Sequence, residues 1–234
     1  MQVDDLYSIP DSNERALTRC ATKMRFARNR TIFNEGDEAE HSYRIVSGVV
    51  RLCKHTVQGR RMVTHFLLPG DHFGFMQLGI YSFTAEAVVD VIVDSYPLRQ
   101  IENLSEQDPF LRQKFHDLFM NQVMDTQDHL LLLGCLSAEE KLVSFLLWLG
   151  ERSDASDPFV TLPMCRQDIA DYLGLTVETV VRTLGKLKRA GVVGLSGSNR
   201  MVRDLDRLRT FGRTMPNGPG PTPEPGHSPG APGI

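Results

Sequence analysis

Between residues 164 and 193 the apolar positions recur at helical steps, twice over. Ile169, Ala170 and Leu173 fall three or four residues apart, which predicts a short helix. Gly174 follows where a left-handed C-cap is needed. Thr176 then caps a second helix, with Val177, Val180, Leu184 and Leu187 as its buried stripe and Gly191 as its stop. Two helices joined by so short a turn are how a protein sets one helix in the DNA major groove. Upstream, Leu111, Phe115, Leu118, Phe119, Val123, Leu130 and Leu133 recur at steps of three, four and seven, as on a coiled-coil seam. The helix they predict, over residues 109–136, runs on the order of 40 Å at 1.5 Å per residue. Leu111, Phe115, Leu118, Val123, Leu130 and Leu133 are the expected contacts between two copies of the chain.

From residue 32 to 98 the pattern shortens to strands at 43–46, 49–53, 62–67, 85–89 and 91–96, separated by glycine turns. Many short strands of this kind predict a jelly roll or β-roll. Residues before about Thr31 read as a helical lead-in. Ser105 and Asp108 read as a capping box ahead of Pro109, and Ser137 with Glu140 as a second, opening an apolar helix that holds Trp148 in its core. After a strand at 159–162 and the helix pair, strands at 192–195 and 201–203 form a wing with Arg200 at its tip.

The outward face of the second helix carries the candidate chemistry. Glu178 and Arg182, four apart, point the same way from its N-terminal half. Arginine donates twice to guanine and a carboxylate accepts from cytosine N4, each good pair discriminating by roughly 1–3 kcal/mol. Lys186, Lys188 and Arg189, with Thr176, Thr179 and Arg200, suit phosphates. Charge distribution agrees. Residues 158–213 hold ten Lys or Arg against five Asp or Glu, whereas the first 157 hold sixteen against twenty-three, so a basic C-terminal domain sits on an acidic body.

Residues 168–182, Asp-Ile-Ala-Asp-Tyr-Leu-Gly-Leu-Thr-Val-Glu-Thr-Val-Val-Arg, resemble the DNA-binding helix pair of the CRP/FNR transcription regulators, FixK-like branch. The resemblance extends through Ile-Phe-Asn-Glu-Gly-Asp (32–37), Ile-Val-Ser-Gly-Val-Val-Arg-Leu (45–52) and Phe-Leu-Leu-Pro-Gly-Asp-His-Phe-Gly (66–74). It implies an α+β chain: an N-terminal lead-in and cyclic-nucleotide-binding-like β-roll (1–108), a dimerisation helix (109–136), a winged helix-turn-helix (137–213) and a disordered tail (214–234). Members with Glu-x-x-Ser-Arg here read TTGA, paired with TCAA across a palindrome. Val181 stands in place of that Ser, so Glu178, Val181 and Arg182 are the expected base readers, with a valine methyl against a thymine methyl. The partners implied are double-stranded DNA, a second copy of the chain and RNA polymerase.

No cofactor is expected. Cyclic-nucleotide-binding relatives have Phe-Gly-Glu and then Arg-Ser or Arg-Thr, whereas this chain has Phe73-Gly74-Phe75 and then Phe83-Thr84. It lacks both the ribose acceptor and the phosphate cation. Iron–sulfur members need an N-terminal cysteine cluster, and only Cys20 lies there. Cys165 stands at the N-cap of the first helix of the pair, where the unpaired N–H groups stabilise a thiolate; redox control and plain packing both remain open for it. Cys53 and Cys135 read as packing. A cupin-like metalloenzyme would need a closely spaced His-x-His, which His55, His65 and His72 do not form, so no metal and no enzyme activity are expected. A regulator gated by a non-nucleotide ligand in the β-roll is the alternative. With 41% hydrophobic residues among 234, no membrane-length apolar run and an acidic, polar start, the chain reads as a cytoplasmic two-domain protein. Seven prolines and five glycines from Met215 to Ile234 predict disorder there.

Overall fold

The computed structural model describes residues 20–75, 79–153, 159–196, 200–202 and 204–213. The expected disorder of the tail lies outside them. Strands β1 (Thr22–Phe26), β2 (Thr31–Phe33), β3 (His41–Ser47), β4 (Val50–His55), β5 (Arg61–Leu67), β6 (His72–Phe73), β7 (Thr84–Ala87) and β8 (Val91–Pro97) come first. They form two four-stranded antiparallel sheets, ordered β1-β8-β3-β6 and β2-β7-β4-β5. Residues 22–26 are thus a strand, not part of a helical lead-in. Four of the five are exposed and polar or flexible, so no apolar alternation marks them; pairing along β8, Thr22 to Ser95 through Phe26 to Val91, supplies their order.

Aromatic side chains fill the space between the sheets. Phe33 stacks on Tyr81 with ring centroids 3.6 Å apart, and Tyr43 on Phe73 at 5.1 Å. Gly48, at φ +92°, turns β3 into β4 where a Cβ would collide with the backbone of Asp90. β4 is buried on both faces. Val50 and Leu52 join the interior of the roll, while Cys53 faces outward into a second core with Val63 and Phe66. That second core is the one around which the C-terminal helices assemble, so the two halves of the chain share an apolar interface.

Helices α1 (Leu98–Gln107), α2 (Pro109–Cys135) and α3 (Ala138–Glu151) follow. Ser105 lies inside α1, and no capping box joins it to Asp108; Asp108 alone caps α2, accepting from the Phe110 N–H at 2.9 Å. The box of Ser137 and Glu140 is present at the head of α3. The 27 residues of α2 carry two apolar stripes rather than one. Leu111 is buried with Tyr96 and Ile101 of its own chain, Phe115 packs on Phe75 at 5.3 Å, and Leu133 approaches Gly174. Of the six expected interchain contacts, Leu130 lies on the outward stripe with Phe119, Met120, Met124 and Leu131, Val123 is half-buried, and Leu118 lines an internal cleft. The expected seam straddles two faces because steps of three, four and seven fit either one.

Beyond α3 lie β9 (Phe159–Thr161), α4 (Arg166–Leu173), α5 (Val177–Arg189), β10 (Leu195–Ser196), β11 (Arg200–Val202) and α6 (Leu205–Arg213). β9, β11 and β10 form a small antiparallel sheet, the wing. Val192 and Val193, expected in its first strand, are buried ahead of it in the core.

Two buried imidazoles make stability depend on pH. Burial first, then His129, pulls His65 down to about 4; burial, then Arg44 and Lys114, does the same to His72. Both are neutral in the fold and protonate readily once it opens. Their contribution is complete above about pH 6.5, the unperturbed value, and is lost as pH falls towards 4. At pH 5 each costs about 2 kcal/mol or less, so the urea midpoint should fall between pH 7 and pH 5, and less so in His72→Gln.

Candidate nucleic-acid interface

α4 and α5 meet at Gly174, whose backbone adopts φ 61° and ψ 38°, the left-handed cap expected of it. Thr176 begins α5, its hydroxyl accepting from the Thr179 N–H at 3.2 Å and lying 3.1 Å from the Thr179 hydroxyl. Val180, Leu184 and Leu187 are buried, with Val177 half-buried beside them. The stripe therefore fixes the rotation of α5 about its axis. What it turns outward is Glu178, Val181 and Arg182, all exposed on consecutive turns. The Glu178 carboxylate is held below the usual carboxylate range by its own backbone N–H and by the Thr176 hydroxyl, so it presents acceptors only.

The basic groups divide. Lys186 is ion-paired with Glu139 of α3, a neighbour that the sequence pattern does not disclose. Lys188 and Arg189 are exposed in the last turn of α5, where positive charge also suits the helix dipole. Arg200 opens β11 opposite Ser196 in the wing; its side chain lies outside what is described.

Cys165 is the N-cap of α4. Its sulfur accepts from the Asp168 N–H at 3.4 Å and its own N–H donates to Asp168 Oδ2 at 3.3 Å, a reciprocal capping box with sulfur in place of a hydroxyl. The thiol is exposed. Cys53 is different: burial, and then Glu86, pushes its thiol up to about 11, which keeps it inert as packing. Cys135, expected to be packing, is exposed at the end of α2.

Asp168 also fastens the helix pair to the roll. Arg51 of β4 donates to both of its carboxylate oxygens at 2.9 and 3.0 Å, and Arg61 of β5 to Oδ1 at 2.7 Å. Arg51 also binds Glu86 at 2.8 Å, and Arg61 binds Asp171 at 2.8 Å. Burial pulls the Arg61 guanidinium down, but the two aspartates outweigh it and its net shift is upward. These four partners of Asp168 and of each other were not singled out from the sequence. The one available signal is Arg51 itself, a cation inside the apolar run Val50-Arg51-Leu52-Cys53.

Among the described residues no group of three or more His, Cys, Asp or Glu could hold a metal ion, and no helix is long and apolar enough to cross a membrane.

Residues 140–211 match the Crp-like helix-turn-helix domain and residues 23–108 the cyclic nucleotide-binding domain. The chain is 43% identical to the nitrogen fixation regulation protein FixK of Azorhizobium caulinodans, over 79% of this chain and 76% of that one. It is 38% identical to FixK of Bradyrhizobium diazoefficiens, over 87% of each. Its fold is similar to the solved structure of FixK2 from Bradyrhizobium japonicum, with TM-score 0.78 and 36% identity, over 81% of this chain and 96% of that one. These relatives are named as regulators, not enzymes.

Proposed function

The chain belongs to the CRP/FNR family of helix-turn-helix transcription regulators, and from that premise we propose that it reads a TTGA-N6-TCAA-type palindrome as a homodimer without cyclic nucleotide or iron–sulfur cluster. The observation that carries this reading is the outward face of α5. Glu178, Val181 and Arg182 are exposed together on a helix whose rotation is fixed by its own buried stripe. Arg182 donates to the guanine of each half-site, Glu178 accepts from the cytosine paired with it, and the Val181 methyls meet a thymine methyl. Thr176, Thr179, Lys186, Lys188, Arg189 and the wing residue Arg200 hold the phosphates. Lys186 must exchange its partner Glu139 for a phosphate oxygen to do so. Binding of the purified protein to a labelled palindromic duplex, against a scrambled one, is the direct test.

Independence from cyclic nucleotides rests on the contents of the roll. Phe75 and Phe83 stand where a nucleotide's ribose and phosphate need a carboxylate and a guanidinium, and the Phe33–Tyr81 and Tyr43–Phe73 stacks occupy the interior. The residues present do not fit the nucleotide.

Dimerisation uses the outward stripe of α2. Phe119, Met120, Met124, Leu130 and Leu131 are all more than 40% exposed in the single chain, an apolar seam suited to a two-fold copy of itself. Leu130→Glu should convert the dimer to a folded monomer in sedimentation equilibrium. Leu111→Glu should instead lower stability, since Leu111 is buried against its own chain. Two recognition helices so joined face successive major-groove turns. A cytoplasmic activator that contacts RNA polymerase from this platform completes the reading.

Cys165 supplies control by oxidation. Hydrogen peroxide oxidises its sulfur to a sulfenic acid and is itself reduced to water, which adds an oxygen where α4 approaches the DNA backbone. Peroxide should lower wild-type affinity by about tenfold, on the order of the 1.4 kcal/mol that a disturbed helix cap costs. Cys165→Ser, which keeps a capping oxygen, should not respond.

A further inference from the structure

A cleft of about 810 Å³ opens between the second sheet of the roll, α2, α3 and the helix pair, and DNA reading makes no use of it. Phe66, Phe75, Phe145, Trp148 and Tyr172 form its aromatic walls. Its size and largely apolar lining are those of a small-molecule site. The stacked rings of the roll interior are not among its lining residues, and of the outward stripe of α2 it takes in Leu131 alone. At about 100° per residue, Leu118, Gln122, His129 and Leu132 of its wall point well away from Phe119, Met120 and Leu130.

The polar groups in the wall define what would bind. His65 and His129 both line the cleft, and His65 Nδ1, both ring nitrogens of His129 and Ser144 Oγ are buried without a hydrogen-bond partner. Buried polar atoms are seldom left so, and four around one cleft call for a ligand group. The Thr126 hydroxyl donates to the Gln122 carbonyl at 2.8 Å, so its 3.3 Å contact with His65 Nε2 has the imidazole as donor. That leaves Nδ1 of His65 as an acceptor. Burial keeps both imidazoles neutral, so His129 offers one donor and one acceptor. Its ring is steadied by stacking on Tyr172, centroids 4.2 Å apart. At the rim the two cations are already spoken for, Arg152 by Asp71 and Arg209 by Glu151. Asp125 and Asp128 add carboxylates to the lining, and the cation that acts on Asp125 is Arg152, already paired with Asp71, so an anion is disfavoured.

We propose that this cleft binds an uncharged aromatic molecule bearing a hydroxyl or lactam edge, its body between the aromatic walls and its polar edge at His65 and His129. A hydroxyl satisfies the pair of histidines at once, donating to one and accepting from the other. Because Phe66 belongs to the roll, Trp148 to α3 and Tyr172 to the DNA-binding pair, the ligand touches both halves of the chain.

The test is calorimetric titration of the full chain with 1-naphthol, beside 1-naphthoate as an anion of the same size, with no DNA present. The expected result is saturable binding of one 1-naphthol per chain, with 1-naphthoate at least tenfold weaker. His129→Phe keeps the ring on Tyr172 and removes both nitrogens, and should weaken 1-naphthol tenfold or more. Leu118→Trp fills the cleft and should abolish binding. Each variant is compared at an unchanged circular dichroism spectrum, and the naphthol–naphthoate contrast in the wild type needs neither. Absence of saturable binding, equal affinity for the anion, or wild-type affinity in folded variants would overturn the proposal, whatever the outcome with DNA.

Discussion

Asp168→Ala should lower the stability of the protein by about 3–5 kcal/mol, the cost of breaking a buried ion pair. The Asp168 side chain is 3% exposed and receives Arg51 twice and Arg61 once, besides the Cys165 N–H. Its removal leaves two guanidiniums at an apolar interface with Glu86 and Asp171 alone to balance them. It also takes away half of the capping box that starts α4. Asp168→Asn keeps an oxygen for the Cys165 N–H and for one arginine, and should cost less. The check is a urea titration of the three proteins. A loss below about 1 kcal/mol for Asp168→Ala, the range of a surface pair, would mean that the arginines and Asp168 do not hold the two halves together.

Arg182→Ala should abolish sequence preference while sparing most of the general affinity for DNA. One bidentate guanine contact is worth roughly 1–3 kcal/mol, and a dimer makes it twice, so specific affinity should fall by about 30-fold to about twenty-thousandfold. Affinity for a scrambled duplex should change little, because that binding comes from phosphate contacts. Lys188→Ala should do the reverse. It removes an exposed charge in the last turn of α5, so it should weaken both duplexes alike and reduce the salt dependence by about one phosphate per copy. Competition titrations at fixed salt separate the two patterns. Equal losses on both duplexes for Arg182→Ala would place the base contact elsewhere.

The parts of this molecule that follow from local chemistry were legible in the sequence. Gly174 at a left-handed cap, Thr176 at an N-cap and the step of Val180, Leu184 and Leu187 are decided within a few residues, and the helix pair forms where they place it. The strands between glycine turns were legible for the same reason. Residues 22–26 were not, because an exposed edge strand owes its form to the strand beside it. The length of α2 was legible from its apolar repeat, but its facing was not. Periodicity says that Leu111 and Leu130 lie on apolar stripes, not which stripe its own chain will cover. The link from Arg51 to Asp168 spans 117 positions, and the pairing of Lys186 with Glu139 spans 47. Such pairs are products of the assembled fold.

Of the site, the outward position of Glu178, Val181 and Arg182 on α5 could be named in advance because the buried stripe of the same helix fixes its rotation. The cleft between the halves could not, since Phe66, Trp148 and Tyr172 come from three elements that meet only in the folded chain.

The central claim is sequence reading without a bound effector. Fluorescence anisotropy of a labelled TTGA-N6-TCAA duplex with the purified wild-type protein, in reductant, at fixed salt and with no added nucleotide, tests it most directly. The expected result is binding at least a thousandfold tighter than to a scrambled duplex of the same length, the usual span between specific and general DNA affinity. Equal affinity for the two duplexes would contradict it, and would give first place to a regulator that needs a ligand before it can read.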